Sequence, residues 1–268
     1  MTLSVRDIAR EHLDATGPLS VNEDLYGYVH RDDRSRLFGG LRGTAALPGA
    51  DPPDPPTTRS LRRHLETISG QALDLTLFLV GHEPDFSGVV KPKHVTKIQY
   101  AVQVARDLYA QVGLGIRRLR WRRISVEEAG GLVDISSIFG YWSLIGKASG
   151  PDGTIDVFFV QSMAMLSGRA PTDGPCFKHE QPPPYPPDAQ SASDGGCLVE
   201  LAGTRQFTGI AVAHEVGHYL GLGHEQDPRN VMCGGADALG QPRCDTSEAQ
   251  TALTSEQGDR MKRHCAVS

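Results

Sequence analysis

The first 175 residues of this 268-residue chain contain no cysteine, and its five cysteines all lie between positions 176 and 265. The chain also has no apolar run that approaches the roughly 20 residues needed for a membrane-spanning helix. Its N-terminus has no basic start followed by an apolar core, as a secretory signal peptide would have. We therefore expect secretion or delivery by a route without a classical signal peptide, with a cytoplasmic location as the alternative.

Positive charge is not concentrated strongly enough in the sequence to indicate a polyanionic partner. The formal net charge is −5, 22% of the residues are charged and 39% are hydrophobic, as in a soluble globular protein. A run of arginines within 116–124 is best explained as the solvated side of a strand or a set of salt bridges. We expect no nucleic-acid partner, no membrane partner, and a monomer that binds a protein or peptide substrate.

Proline marks a boundary in the first quarter of the chain. Residues 47–58 include the run Pro-Gly-Ala-Asp-Pro-Pro-Asp-Pro-Pro, which is typical of a semi-extended linker. The linker separates an N-terminal segment, 1–46, from a domain over 59–268. The role of the segment is open: it is a pro-segment that blocks the site, a delivery signal, or an extension of the domain.

The most informative stretch contains the pattern HExxHxxGxxH. Two of its histidines, His214 and His218, are four residues apart and therefore lie on the same face of a helix. Gly221 permits the left-handed conformation that ends helices, so the chain can leave the helix and return. His224 would then supply a third imidazole from another direction. Three nitrogen ligands and one open coordination position are typical of catalytic zinc.

Glu215 follows the first histidine directly. A carboxylate at this place can hydrogen-bond a water on the metal and take its proton as general base. A structural zinc site would fill all four positions with protein ligands and would have no use for this acid. The alternative is a helix whose histidines only pack or hydrogen-bond, which leaves the glycine and the third histidine unexplained.

These residues resemble the zinc-binding consensus of the metzincin peptidases. Met232, eight residues after the third histidine, matches the family's Met-turn methionine, and the intervening Asp227-Pro228 pair gives a matrixin-like spacing. Glu225 departs from the matrixin serine and looks more like astacins. The astacin Met-turn tyrosine is missing, however, since Cys233 and Gly234 follow Met232, so the subfamily stays open. The resemblance implies an α+β fold: a twisted mixed sheet with long helices, an active-site helix, a Met-turn and a smaller C-terminal subdomain.

Hydrophobic patterning predicts the elements that would carry this site. Strands are expected at 73–80, 116–124, 154–160 and 198–201, and helices at 4–15, 59–69, 92–112 and 253–264, besides the metal helix. Thr254 and Gln257 have the spacing of a capping box at the start of the last helix. Residues 126–150 are expected to be an insertion of mixed character, and 168–196 a surface loop.

The cysteines favour disulfides around the cleft, with reduced thiols as the alternative. The pairs expected from the order of the chain are Cys176 with Cys197, and Cys233 with Cys244 or Cys265. Because no cysteine precedes Cys176, the resemblance excludes a cysteine switch of the matrixin type. Asp24, Asp32 or Asp33 could instead cap the metal.

The resulting hypothesis is a zinc-dependent endopeptidase with one catalytic zinc ion. His214, His218 and His224 are its expected ligands, Glu215 its general base, and Met232 and Gly221 its structural support. Two alternatives stay open: a zinc-binding protein that does not cleave, and a delivered toxin or effector protease with one dedicated protein substrate.

Two further features of the hypothesis concern the surroundings of the metal. The resemblance implies that a substrate lies along an edge strand drawn from 161–172. Asp152 and Asp156 could hold calcium, although a simple turn is favoured. Tyr219 is expected to pack in the core, with the cleft as the alternative.

Overall fold

The structure is a computed structural model that describes residues 70–83, 87–150, 153–164, 167–176, 195–234 and 249–268. The helices predicted at 4–15 and 59–69 lie outside these ranges. The same is true of the segment 1–46 and the linker 47–58, so the proposed domain boundary stays a prediction.

The described residues form one main sheet flanked by helices. In chain order the elements are β1 (Ala72–Val80), α1 (Pro92–Ala110), β2 (Gly115–Ile124), β3 (Asp134–Ile135), α2 (Ile138–Ala148), β4 (Ile155–Val160), β5 (Ser162–Met163), β6 (Gly168–Arg169), β7 (Gly196–Glu200), α3 (Arg205–Tyr219) and α4 (Ser255–Lys262). The sheet has the order β2-β1-β4-β7-β6. Its strands are parallel except β6, which runs antiparallel to β7. None of the four described helices is long and apolar enough to cross a membrane.

Both faces of the sheet are covered, as the alternation of side chains along β1 shows. The leucines at odd positions from 73 to 79 are completely buried on the face that carries α1 and α3. Phe78 and Val80 point to the other face and pack with Tyr141 and Ile145 of α2. The Phe78 ring stacks on that of Phe158 in β4, with centroids 4.2 Å apart. Burial on both faces explains why these strands read as nearly continuous apolar runs.

The hydrophobic patterning predicted seven of these elements and missed helix α2 and the two-residue strands β3, β5 and β6. Four strands, α1 and α4 lie where they were expected, and the capping box of Thr254 and Gln257 is present. Helix α2 falls inside the expected insertion. Its sequence includes two glycines, which weaken intrinsic helix propensity, so packing against the sheet stabilises it. Strand β6 falls at the start of the expected loop 168–196, but inside the range 161–172 from which the resemblance implied an edge strand. It is defined by its pairing with β7.

The predicted disulfide between Cys176 and Cys197 is wrong. Cys176 is bonded to Cys265, and Cys197 lies in β7 with its side chain completely buried on the α3 side of the sheet. A strand fixes the direction of its side chains, and here that direction leads into the core. Cys233 is also disulfide-bonded, but not to Cys265; the other expected partner, Cys244, lies outside the described residues.

The ammonium group of Lys97 on α1 fixes the turn that leads into α3. It donates to the carbonyl oxygens of Leu201, Ala202 and Gly203 at 2.6, 3.0 and 2.8 Å. The next residue, Thr204, caps α3 by accepting a hydrogen bond from the Phe207 amide. The start of α3 is therefore tied to α1, and His214 and His218 lie near the other end of this helix.

We expect Lys97→Met to lower the free energy of unfolding by about 2 kcal/mol, because three carbonyl groups lose a charged donor while the side-chain length is kept. Urea denaturation of the two proteins measures the difference. Lys93→Met, on the exposed side of α1, serves as control and should change stability by less than about 0.5 kcal/mol. Equal effects of the two substitutions would contradict this account of the turn.

Candidate metal centre

Two hydrogen bonds close the turn that reverses the chain at the end of α3. The Gly221 amide donates to the His218 carbonyl at 2.8 Å, and the Leu222 amide donates to the Gly217 carbonyl at 2.9 Å. Gly221 has φ of 90°, in the left-handed region predicted for it. This pair of bonds around a left-handed glycine is the Schellman motif. The turn brings His224 back towards the helix it has just left.

Backbone carbonyls set the orientation of two histidine rings. His214 Nδ1 lies 2.7 Å from the Val231 carbonyl oxygen, and His218 Nδ1 lies 2.8 Å from that of Leu222. A carbonyl oxygen can only accept, so both Nδ1 atoms carry the proton. In the neutral ring this leaves the lone pair on Nε2, which is the tautomer that binds a metal.

The three Nε2 atoms converge on one point. His218 Nε2 lies 3.0 Å from His214 Nε2 and 3.1 Å from His224 Nε2. Tetrahedral zinc with bonds of about 2.0–2.1 Å would separate its ligands by about 3.3 Å. The three residues form the only group of potential metal ligands found among the described residues. His214 and His218 point lone pairs at each other, an arrangement that a cation between them would satisfy, so the donor set fits zinc.

The electrostatics of the rings favour ligation as well. Burial lowers the pKa of His214 to about 4, and the charge of His218 acts in the same direction. Burial also lowers the pKa of His218 and of His224. All three imidazoles are therefore neutral at pH 7, as metal binding requires. His218 is buried, His214 is half-buried and His224 is exposed, so the cluster opens to solvent on the His224 side.

Glu215 lies between helix α3 and the edge strand β6. A Cβ atom added to Gly168 would meet the Cγ, Oε1 and Cδ atoms of Glu215 at 2.6–2.8 Å, so the strand passes directly over this carboxyl group. Burial raises the pKa of Glu215 to about 8, while the positive charge of Arg169 acts in the opposite direction. A buried carboxyl group with a raised pKa beside a metal-binding cluster is suited to proton transfer near neutral pH.

Two more glycines bring the segment after His224 against the site. A Cβ at Gly217 would lie 2.6 Å from the Met232 sulfur, so completely buried Met232 packs directly on helix α3. A Cβ at Gly234 would lie 2.8 Å from Cδ2 and 2.9 Å from Nε2 of His224. The segment after His224 is therefore held close to helix α3, and the supporting role of Met232 stays a prediction.

An amide pair holds the turn that carries Met232. Asn230 and Gln257 exchange two hydrogen bonds, with Asn230 Nδ2 donating at 2.9 Å and Gln257 Nε2 donating at 3.2 Å. Asn230 Oδ1 also accepts from the Met232 amide at 2.8 Å, and Gln257 Oε1 from the Thr254 amide at 2.9 Å. Gln257, the second residue of the capping box of α4, thus also fixes the turn that carries Met232.

The segment before Cys176 supports the C-terminal end of α3. The amides of Asp173 and Gly174 donate to the carbonyls of His218 and Tyr219 at 2.9 and 2.8 Å. The Tyr219 hydroxyl donates to the Pro175 carbonyl at 2.8 Å, and its ring is buried, which confirms packing over exposure in the cleft. The disulfide at Cys176 then continues this support to the residues after α4.

The structure brings together the three histidines predicted as ligands and packs Met232 against their helix. Asp156, predicted as one half of a calcium loop, lies completely buried in β4 and accepts a hydrogen bond from Ser149 at 2.6 Å. Its expected companion Asp152 is outside the described residues, and calcium stays a prediction. The sequence analysis missed the supporting residues Gly168, Gly217, Asn230 and Gly234. Only Gly217 had a usable signal, as a small residue inside the histidine pattern.

Comparisons with known proteins add two distant structural likenesses. One is to archaemetzincin from Methanopyrus kandleri, with a TM-score of 0.43, 12% identity, and coverage of 72% of this chain and 95% of that one. The other is to metalloproteinase-II from Bacteroides fragilis, with a TM-score of 0.43, 15% identity and 73% of this chain covered. The match spans only 53% of that second protein's length. No family model and no curated protein matches the sequence.

We expect Asn230→Ala and Gln257→Ala each to cost about 2 kcal/mol of stability, since each leaves a buried amide without its partner. The double variant should cost clearly less than the sum, with a coupling energy of about 1 kcal/mol or more, because the two side chains act as one unit. Urea denaturation of the four proteins gives this coupling. Additive losses would show that the amide pair does not hold the turn.

Proposed function

We propose that this protein is a zinc-dependent endopeptidase. The convergence of the three histidine Nε2 atoms carries the proposal, because it provides three neutral nitrogen ligands and leaves a solvent-facing position open. The buried Glu215 beside this cluster supplies the proton-transfer group that a purely structural metal site would not need. Met232 would be the Met-turn methionine and Gly221 the residue that lets His224 join the ligand set.

His214, His218 and His224 would hold the ion, and the bound zinc would act as Lewis acid and lower the pKa of water. Glu215 accepts a proton from the attacking water and then donates it to the leaving amine. The carbonyls of Val231 and Leu222 keep the two helix histidines in the ligating tautomer throughout. Gly168 leaves Glu215 the room to approach the substrate, since any side chain there would occupy the place of its carboxyl group.

Strand β6 would bind the substrate. It pairs with β7 on one side, and it is the last strand in the described order of the sheet. An extended peptide could add to its other side through backbone hydrogen bonds, antiparallel to β6. This binding mode needs a peptide that continues on both sides of the cleaved bond, which favours endopeptidase activity.

The decisive variant is Glu215→Gln, which keeps the shape of the side chain but removes its ability to take a proton. We expect about one zinc ion per chain in both proteins, and a fall in peptide cleavage of at least about a hundredfold in the variant. Elemental analysis and a quenched-peptide library measure the two quantities. His218→Ala is the matched ligand variant and should lose the zinc as well.

The same measurements separate the alternatives. Zinc in the wild type with no cleavage of any peptide would favour the non-catalytic zinc-binding protein, or a protease with one dedicated substrate. Undiminished cleavage by Glu215→Gln would refute the role given to this residue, and undiminished zinc in His218→Ala would refute the ligand set.

We expect Gly168→Ala to lower kcat by about tenfold or more while zinc content stays at one per chain. The new methyl group would occupy space now filled by the Glu215 carboxyl, and misplacing a catalytic group by about 1 Å is costly in rate. Cleavage kinetics and elemental analysis provide the test.

Gly153→Ala is the control for this prediction, because a Cβ at position 153 meets nothing within 4 Å and its φ is not in the left-handed region. Its kcat should equal that of the wild type. A Gly168→Ala enzyme with normal kcat would mean that β6 does not confine Glu215.

A further inference from the structure

The two residues of β6 point to opposite faces of the sheet. Gly168 faces Glu215 on the α3 side, whereas Arg169 extends to the α2 side. There its guanidinium carbon lies 5.5 Å from the centre of the Tyr141 ring. The arginine is therefore next to the catalytic carboxyl group along the strand but is separated from it by the sheet.

Tyr141 gives this arginine a fixed support. The tyrosine ring is buried, and its hydroxyl donates to the Gly196 carbonyl in β7 at 3.0 Å. A cation–π contact of this kind attracts the guanidinium group to the ring without using its hydrogen-bond donors. The donors of Arg169 therefore stay available for a ligand.

Arg169 forms no salt bridge with any residue that the structure describes, although its charge acts on Glu215 from a distance. Ion pairs are found for Arg117, Arg229 and Lys262, but none for Arg169, although its side chain is exposed. An exposed guanidinium group that forms no salt bridge is suited to binding a carboxylate in bidentate fashion.

The direction of β6 indicates which part of a substrate would meet this group. Gly168 is level with Glu215, and Arg169 follows it in the chain. In a peptide that runs antiparallel to β6, the residues beside Arg169 lie on the N-terminal side of the cleaved bond. A carboxylate there is an internal Asp or Glu side chain, because the terminal carboxylate lies on the other side of the bond.

We infer that Arg169 is a specificity-determining residue that selects substrates with Asp or Glu among the three residues before the cleaved bond. This inference rests on the proposed peptidase function and on the antiparallel binding mode. It assigns a substrate class to the site, since an acidic residue before the bond would be preferred over its neutral amide.

The test compares peptides that differ only in charge. After a peptide library has identified a cleaved sequence, Glu, Gln and Lys are placed in turn at each of the three positions before the bond. We expect the wild type to cleave one of the Glu peptides with a kcat/KM about tenfold above its Gln counterpart, as for a hydrogen bond to a charged group. The ratio should fall to about one in Arg169→Gln, and Arg169→Glu should favour Lys over Glu.

Arg205→Gln is the matched control. Arg205 also stacks on a tyrosine, with its guanidinium carbon 4.2 Å from the Tyr100 ring centre, but it begins α3. It lies nine residues before His214, or about 13 Å along the helix. This variant should keep the wild-type Glu-to-Gln ratio. Because both peptides are cleaved by the same enzyme sample, a partly unfolded variant does not alter the ratio.

A wild-type ratio near one at all three positions would overturn the inference, as would an unchanged ratio in Arg169→Gln, while both results leave the peptidase function intact. If the zinc-loaded wild type cleaves no peptide, the result bears on the proposed function, as described above, and not on Arg169. Arg169 is then judged by fluorescence anisotropy with labelled peptide pools that carry a fixed Glu or Gln. Tighter binding of the Glu pool that is lost in Arg169→Gln supports the inference, and equal binding of the two pools overturns it.

Discussion

The hydrogen bond between His218 Nδ1 and the Leu222 carbonyl is the interaction on which the rest of the site depends. It joins a side chain of the helix to the turn that ends the same helix, so ring orientation and chain reversal are set together. The reversal requires Gly221, because a residue with a Cβ would be strained at φ of 90°. Only after this turn can His224 reach the two helix histidines, and only then can the Val231 carbonyl reach His214.

Around this local unit the chain packs its backbone unusually closely against functional side chains. Gly168 adjoins Glu215, Gly217 adjoins Met232, and Gly234 adjoins His224, each so near that a methyl group would collide. Glycine costs backbone entropy on folding, and here the cost is offset by close contact between three separate segments. The contacts leave little freedom for the histidines or the carboxyl group to move, which is the preorganisation expected of a site that stabilises charge.

The sequence predicted those features of the site that depend on residues close together along the chain, and it missed contacts between residues that are far apart in the sequence. The grouping of the three histidines and the left-handed Gly221 follow from helical spacing and glycine conformation, and the structure shows both. The roles of these histidines as ligands and of Glu215 as general base stay predictions. Gln257 was predicted to cap α4, which is local, but its bonding to Asn230 joins residues 27 positions apart and left no trace in the pattern. The pairing of Cys176 with Cys265 was missed for the same reason. Strand β6 has only 2 residues, too few to show a periodic pattern, so its position is defined by its pairing with β7.

The disulfide between Cys176 and Cys265 closes a covalent loop whose ends are 89 positions apart in the sequence, and this loop contains α3, all three histidines, Met232 and all of α4. For a proteolytic enzyme this has a consequence for its own lifetime. A single cut anywhere between positions 177 and 264 would leave both fragments joined, and the fragments could keep their packing. In the proposed function, self-cleavage within the loop would therefore produce a nicked protein that still holds its ligands together. Cuts outside it would release only segments that carry none of them.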